Sequence, residues 1–501
     1  MTGRIRMRWY HKAAIICAGL LVAAGAGGLA YYHARSAWDE PPPDDADLLP
    51  DRAEVPDDRN AFTLYAQALE VLQWPGYTPP PRQGDEESTG GPDVLADGKI
   101  SGEELEVLIA EAERKEQDPA ARAIREKDER LQGMVGGETW DEALAGEVLE
   151  ANRETFRLID EARSRAAFQL PAIRDFAADA PGLSGFLSLS HAVCLRIQDR
   201  FREGDEAGAF EEAVALARLG HRIQCGGGTL VTCLTGSAVQ RIGHNLFADL
   251  VSRTSLPAER LAALGRRLKE FEDAGPGFAD SLRGVYRMCV NTLDDLRRGV
   301  IGIDGTGDGG KTPTPIPTNW TFKPNQTRRL FAEWYRPAVA ACGMHRANVH
   351  LPDPHAALEA KGFLGRLGEN AVGRTLVHLM MPATKAFIQQ KCWMQTHGAM
   401  VRTLAALRCY QMDHGTVPAA LHALVPAYLA AVPVDDFDGK PIRYSREKRI
   451  VYSVGPDLED QGGFTAEEVV AWAREEHGFD GTDEDALLYF DPPDPCVGID
   501  F

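Results

Sequence analysis

The sequence is short of basic residues and lacks the short motifs that identify common hydrolases and dithiol enzymes. Its 54 lysines and arginines face 74 aspartates and glutamates, which gives a formal net charge of −20. Binding to nucleic acid requires clustered basic side chains that neutralise phosphates, so this balance argues against a nucleic-acid partner. The chain contains no H-E-x-x-H, G-x-S-x-G or C-x-x-C segment. These absences disfavour the commonest catalytic families and leave open an enzyme whose site is assembled from distant residues.

Apolar residues, by contrast, are numerous enough to build more than one core. The chain has 501 residues, of which 44% are hydrophobic and 26% are charged. Single domains cluster near ~100–150 residues, so the length predicts two or three folded units. The same proportions exclude a chain that is disordered throughout.

A basic tail precedes a long uncharged run near the start of the chain. Residues 1–12 carry four lysines and arginines, and residues 13–32 carry no charge. The apolar part of this run would rise about 27 Å as a helix, close to the ~30 Å hydrocarbon core of a bilayer. The pattern predicts a cytoplasmic tail at 1–12, a transmembrane helix at 13–32 and a single-pass protein of the bacterial inner membrane, mostly extracytoplasmic. The alternative is a signal peptide cleaved after residue 30.

Composition and periodicity divide the next part of the chain. Residues 33–56 are acidic and rich in proline, which predicts an extended, self-repelling linker. Helix-period segments dominate 57–300 and are separated by glycine-rich breaks such as 226–228. We predict an irregular, antiparallel, solenoid-like helical array there, followed by a Gly/Pro/Thr-rich loop at 301–326 and a helical continuation at 327–383.

The periodicity changes in the C-terminal part. A long helix is predicted from Thr384 to Asp413, and alternating apolar residues on both sides of a turn at 446–448 predict a β-hairpin. A third strand is predicted at 487–490, and Thr465 with Glu468 matches a capping box that starts a helix.

The predicted fold class follows from these divisions. We predict a mainly α protein with an N-terminal transmembrane helix, the solenoid-like array and a small C-terminal α+β domain. The domain comprises the long helix and the hairpin module at 384–463, and an acidic segment follows at 464–501.

Residues 305–312 match the P-loop pattern letter for letter. A phosphate cradle needs a helix that begins at the Lys-Thr end and points its N–H groups at the anion. Prolines at 313, 315 and 317 forbid that helix. We therefore expect a flexible loop and no bound nucleotide.

Asp93, Asp97 and Glu104 fall at positions 1, 5 and 12 of an EF-hand-like loop. Leu95 at position 3 offers no side-chain oxygen, so calcium binding there would be weak. The alternative is a turn followed by a helix cap made by Ser101 with Glu104.

Eight cysteines follow the uncharged N-terminal run. An even number permits disulfides in an oxidising compartment, and Cys225 with Cys233 is the first pair to test. Buried thiols are the alternative.

The C-terminal part resembles a known family. Between residues 404 and 457 the chain reads LAALRCY, HGTVP, LVPAYL, VPVDDFDGKP and YSVGPD in turn. This is similar to the C-terminal half of the major pseudopilin of type II secretion, over about residues 403–463. The whole layout also resembles a group of membrane-anchored bacterial proteins that carry this module.

In the pseudopilin, the loop after the sheet binds calcium. The resemblance implies Asp457 and Asp460 as candidate ligands, together with the backbone of Ser453. Their hard oxygens suit calcium, and the glycines at 462–463 let the backbone wrap around an ion. The alternative is an ordinary acidic turn.

These observations favour a non-enzymatic scaffold or interaction protein anchored in the membrane, with a pseudopilin-like, calcium-binding head and a protein partner of unknown identity. One alternative is a component of a type II secretion or pilus-like system. The other is an enzyme, which would show a deep pocket lined by convergent polar groups.

Overall fold

The computed structural model describes residues 38–49, 53–79, 118–137, 139–172, 183–273, 277–300, 316, 318–351, 369–380, 384–477 and 495–498.

Helices account for most of the described residues, in agreement with the helical periodicity of the sequence. In chain order they are α1 (Ala61–Val71), α2 (Pro119–Val135), α3 (Glu142–Ala151), α4 (Arg153–Ser164), α5 (Leu183–Arg202), α6 (Glu206–Cys225), α7 (Leu230–Arg253), α8 (Ala258–Glu272), α9 (Phe278–Arg298), α10 (Pro324–Ala341), α11 (Ala371–Met380), α12 (Thr384–His414) and α13 (Ala466–His477). Short 3₁₀ turns lie at Arg346–Asn348 and Leu421–Leu424.

Helices α6 and α7 form an antiparallel pair whose backbones approach closely. A Cβ atom added to Gly220 would lie 2.2 Å from the backbone nitrogen of Gln240. One added to Gly243 would lie 2.5 Å from the backbone nitrogen of Ala217. No side chain fits at such distances, so both positions require glycine. The glycine-rich break at 226–228 connects the two helices, as the sequence predicted.

Helix α12 is the central helix of the core and packs against α7 and α8. It extends from Thr384 to His414, which confirms the predicted long helix. Ile388, Met400 and Val401 are fully buried although they point in different directions around the helix axis. Burial on several sides is typical of a helix inside a core, in agreement with its central position.

A three-stranded antiparallel sheet covers one end of this helix. The strands are β1 (Arg443–Ser445), β2 (Ile450–Tyr452) and β3 (Cys496–Gly498), in the order β1-β2-β3. Tyr444 pairs with Val451 across the first two strands, which confirms the predicted hairpin. The third strand is at 496–498, whereas the predicted one at 487–490 lies outside the described residues.

The capping box predicted at the start of α13 is present. The backbone N–H of Thr465 donates to Glu468 Oε2 at 2.8 Å, and the N–H of Glu468 donates to Thr465 Oγ1 at 3.3 Å. Two N–H groups that the helix leaves without partners are thereby satisfied.

Residues 38–49, which we call the N-terminal strap, lie along α10. Asp39 accepts from the N–H of Asn325 at 2.8 Å and from that of Gln326 at 3.3 Å. It therefore caps the N-terminus of this helix although it lies far away in the sequence. Asp45 binds Arg328 through two contacts of 2.6 and 2.8 Å. The linker predicted at 33–56 was expected to be extended and self-repelling. For these residues the self-repulsion is overcome, because the basic face of α10 compensates their acidic charge.

The predicted fold class included a membrane-spanning helix, and this part of the prediction is corrected. Among the residues that the structure describes, none of the helices combines the length and the apolar character that crossing a membrane requires. The segment to which that prediction referred, 13–32, lies outside the described residues, as does the basic tail at 1–12.

The predictions of a solenoid-like array and of a separate C-terminal domain are also corrected. In a solenoid each unit contacts only its neighbours along the chain, whereas α12 packs against α7 and α8 from far away in sequence. Ile442 and Val451 of the hairpin module share one hydrophobic core with Phe210 and Leu250 of the helical part. The protein is thus a mainly helical assembly that includes the small sheet.

Candidate functional site

A groove opens between α8, α12 and the segment 428–434, which we call the groove rim. Its volume is about 720 Å³, within the range of roughly 300–1,000 Å³ that is typical of ligand pockets. Side chains of α6 and α7 reach its floor, because the close approach of these two helices brings Gln224 and Gln240 together. Gln224 Nε2 donates to Gln240 Oε1 at 2.7 Å. The floor is therefore polar and internally hydrogen-bonded.

An ion pair between Glu272, the last residue of α8, and Arg402 of α12 forms one wall of the groove. Gln240 Nε2 donates to Glu272 Oε1 at 3.4 Å, and His244 Nε2 lies 3.3 Å from the same oxygen. Burial opposes ionisation of this carboxyl, but Arg402 and His244 lower its pKa to about 2. Glu272 is therefore a fixed negative charge and a very weak base.

Three imidazoles surround this ion pair. The rings of His244 and His397 stack with centroids 5.7 Å apart, behind Glu272 and away from the groove surface. Burial, together with the charges of His244 and Arg241, lowers the pKa of His397 to about 3. Burial likewise lowers the pKa of His221. His397 is therefore neutral at neutral pH, and its ring supports the wall.

A second buried ion pair lies at the other end of the groove. Lys391 of α12 donates to Asp436 Oδ2 at 2.6 Å and to the carbonyl of Met344 at 2.9 Å. His345 Nδ1 lies 2.9 Å from the other oxygen of Asp436. Both members of the pair are almost fully buried. A charge this deep must be compensated to be tolerated, and here the compensation is complete.

The groove rim offers apolar side chains and backbone groups. Val434 is 46% exposed, and Ala430 and Ala431 are also exposed. Within the described part of the chain, the N–H groups of Ala430, Ala431 and Val432 have no hydrogen-bond partner. Exposed main-chain donors beside apolar side chains are the features with which an extended polypeptide pairs.

The groove is better suited to binding than to proton transfer or nucleophilic attack. Its deepest charges are paired in Glu272–Arg402 and Lys391–Asp436. Burial raises the pKa of the Cys342 thiol to about 12, so this lining cysteine is not a thiolate at neutral pH.

The sequence-predicted calcium ligands are occupied by other contacts. Asp460 accepts from Arg443 Nε at 3.3 Å and from the hydroxyl of Tyr452 at 3.2 Å. Asp457 accepts from the N–H of Glu459 at 3.0 Å, and the buried hydroxyl of Ser453 accepts from a nearby backbone N–H. Across the described ranges, no group of three or more His, Cys, Asp or Glu side chains is placed to hold a metal ion.

The remaining sequence motifs either lie outside the described residues or do not form the predicted contact. Asp93, Asp97 and Glu104 of the EF-hand-like loop and the P-loop-like residues 305–312 lie outside the described residues. Cys225 and Cys233 do not form the disulfide considered above. Cys225 Sγ instead lies 3.5 Å from His221 Nε2.

Sequence reasoning missed the residues that shape the groove. Asp436 is in the pseudopilin-like segment, but nothing in that resemblance singles it out. Lys391 and Arg402 lie among the apolar residues of the long helix, and both side chains are largely buried. A buried cation implies a carboxylate partner, which here comes from another element.

Comparisons of the chain with protein-family models, with curated proteins and with solved structures find no match.

Proposed function

We propose that the protein is an interaction protein whose groove holds a polypeptide segment of a partner. The groove presents apolar, charged and amide groups together, and a peptide presents the same mixture of groups. Side chains of both signs line its edges, among them Arg266 and Glu270. Such a lining suits a peptide better than a purely apolar or a strongly anionic ligand.

The observation that carries the proposal is the contrast between side chains and backbone in the groove. The buried charges are satisfied within the protein, whereas the N–H groups of Ala430, Ala431 and Val432 find no partner among the described residues. Main-chain hydrogen bonds to a peptide would satisfy them, and Val434 beside them would pack against its side chains. Backbone pairing of this kind provides affinity for many sequences, as an interaction protein requires.

An enzymatic role is less well supported by the same geometry. His244 and His397 have the chemistry of acid–base groups, but they stack behind Glu272 and do not line the groove. Glu272 itself is held as a carboxylate by Arg402. The inner-membrane location, the secretion-system alternative and the pseudopilin resemblance stay predictions from the sequence.

The test uses peptides selected from a random display library on the purified protein. Their affinity is measured by fluorescence polarisation for wild type and for two matched variants. Ala431→Trp fills the groove at its rim, whereas Ala427→Trp adds the same bulk to an exposed alanine that precedes the rim and lies outside the groove lining.

We expect Ala431→Trp to weaken peptide binding at least tenfold, which corresponds to about 1.4 kcal/mol, while Ala427→Trp leaves it unchanged. Circular dichroism of both variants checks that the fold is retained. Equal affinities for the two variants, or a library that yields no binder, would refute the proposal.

A further inference from the structure

A second cavity, formed mainly by α6, is lined by arginines. Its volume is about 300 Å³, and its lining includes Arg163, Arg200, Arg218, Arg222 and Arg267 together with Tyr65. We call it the arginine cavity. A neighbouring cavity of about 390 Å³ shares Arg218, Arg222 and Arg267, so the basic surface continues beyond the first cavity.

Some of these arginines have carboxylate partners. Glu212 is 2% exposed and binds Arg163 at 2.9 Å and Arg200 at 3.2 Å, as well as Arg196 outside the cavity lining. Arg267 lies 3.9 Å from Glu211, a distance that gives only a weak surface pair. Arg163 also pairs with Asp160 at 3.0 Å and Arg200 with Asp205 at 2.6 Å, so the charges of these two arginines are compensated within the protein.

Arg218 and Arg222 have no carboxylate partner among the described residues. Arg222 Nη2 donates to the carbonyls of Arg165 and Ala166 at 3.0 and 3.3 Å, which satisfies hydrogen bonds but leaves the charge uncompensated. The two arginines are four residues apart on α6, where like charges repel. Burial lowers the pKa of Arg222, and the charge of Arg218 lowers it further.

Tyr65 adds a neutral donor to this basic lining. Its side chain is 2% exposed, and within the described part of the chain its hydroxyl has no hydrogen-bond partner. The hydroxyl oxygen is not among the fully buried polar atoms, so it is accessible from the cavity and can donate to a ligand there. The cavity therefore contains both uncompensated positive charge and an unused donor.

We propose that the arginine cavity binds a small phosphorylated molecule. Guanidinium groups form paired hydrogen bonds with phosphate oxygens, and several of them converge here, which favours a doubly charged anion over a single carboxylate. In a protein with a net charge of −20 this local excess of arginine is not explained by the overall composition. The cavity volume suits a small molecule, whereas a nucleic-acid duplex would need an extended basic surface.

The test uses inorganic pyrophosphate as the probe and citrate as a carboxylate comparison, measured by isothermal titration calorimetry at physiological ionic strength. Two variants are matched. Arg218→Gln removes an exposed arginine of the cavity, and Arg266→Gln removes an exposed arginine that lines the groove and not the cavity.

We expect pyrophosphate to bind wild type more tightly than citrate does, and Arg218→Gln to weaken pyrophosphate binding at least tenfold. Arg266→Gln is expected to leave it unchanged. Tighter binding of citrate, the absence of pyrophosphate binding, or an equal loss in the two variants would overturn the proposal. Because the groove variant Ala431→Trp leaves this cavity intact, failure here is distinguishable from failure of the proposed function.

Discussion

The groove and the arginine cavity differ in how their charges are compensated. In the groove, the buried Lys391 and Arg402 each have a carboxylate within the protein. In the arginine cavity, Arg218 and Arg222 have none among the described residues. Paired charges build a stable wall, whereas unpaired charges leave an interaction to be completed by a ligand.

The comparison also explains why the two surfaces suit different ligands. The backbone N–H groups of the groove rim can donate to the main chain of peptides of many sequences. The specificity of the groove therefore comes from shape and from side-chain contacts. The arginine cavity presents a concentrated positive charge, so its specificity comes from the charge of the ligand. The two surfaces are nevertheless neighbours, since Arg266 lines the groove and the adjacent Arg267 lines the arginine cavity.

The largest expected effect is that of removing the carboxylate that compensates the arginine cavity. Glu212→Gln leaves the partly buried Arg163 and Arg196 with only the exposed Asp160 as a counter-charge, and we expect it to lower the free energy of unfolding by about 3 kcal/mol. The exposed neighbour Glu211 is the control, since Glu211→Gln removes only weak surface pairs and should change stability by less than about 0.5 kcal/mol. Urea unfolding measures both, and similar losses would mean that the buried pairs are not structural.

The next effect concerns the groove wall and depends on pH. The pKa of His397 falls from 6.5 to about 3 on folding, so between these values the unfolded chain binds a proton that the folded chain does not. The contribution of His397 to stability is therefore complete above about pH 6.5 and is lost as the pH falls. One pKa unit corresponds to about 1.4 kcal/mol, which gives a loss of about 2 kcal/mol between pH 6.5 and pH 5.

The variant His397→Gln isolates this contribution, because glutamine does not titrate in this range. We expect urea unfolding to show that wild type loses about 2 kcal/mol more than the variant between pH 6.5 and pH 5. The lowered pKa of Glu272 acts in the same direction at lower pH, below about 4.5. An identical pH dependence in the two proteins would show that His397 is not held neutral by the fold.

The smallest expected effect is that of Arg218→Gln on stability. This arginine is exposed, and like charge from Arg222 opposes it, so its removal should change the free energy of unfolding by less than about 0.5 kcal/mol. Urea unfolding at neutral pH checks this. A loss above about 1.5 kcal/mol would indicate an internal partner and would contradict the contrast between the two cavities.

Local patterns predicted the parts of the fold that depend on neighbouring residues. The helix α12, the β1–β2 hairpin and the capping box of Thr465 with Glu468 each follow from spacing over a few residues. The N-terminal strap did not follow in this way. Its acidic composition indicates self-repulsion. Basic residues of α10 overcome this repulsion, and one of them, Arg328, is 283 residues from its partner Asp45.

The candidate site depends on pairs of the same long-range kind. Glu272 and Arg402 are 130 residues apart, and Lys391 and Asp436 are 45 residues apart, so no local motif contains either pair. The calcium prediction used a local motif, Asp457 to Asp460, but Arg443 supplies the positive charge beside Asp460. Sequence spacing identifies donors and acceptors, and tertiary packing decides which of them meet.

Hydrogen–deuterium exchange of the protein with and without a selected peptide tests the account most directly. We expect the peptide to slow exchange at least tenfold at the N–H groups of Ala430, Ala431 and Val432, and to leave the lining of the arginine cavity unchanged. Unchanged exchange at these three residues, with protection confined to α6 around Arg218 and Arg222, would contradict it.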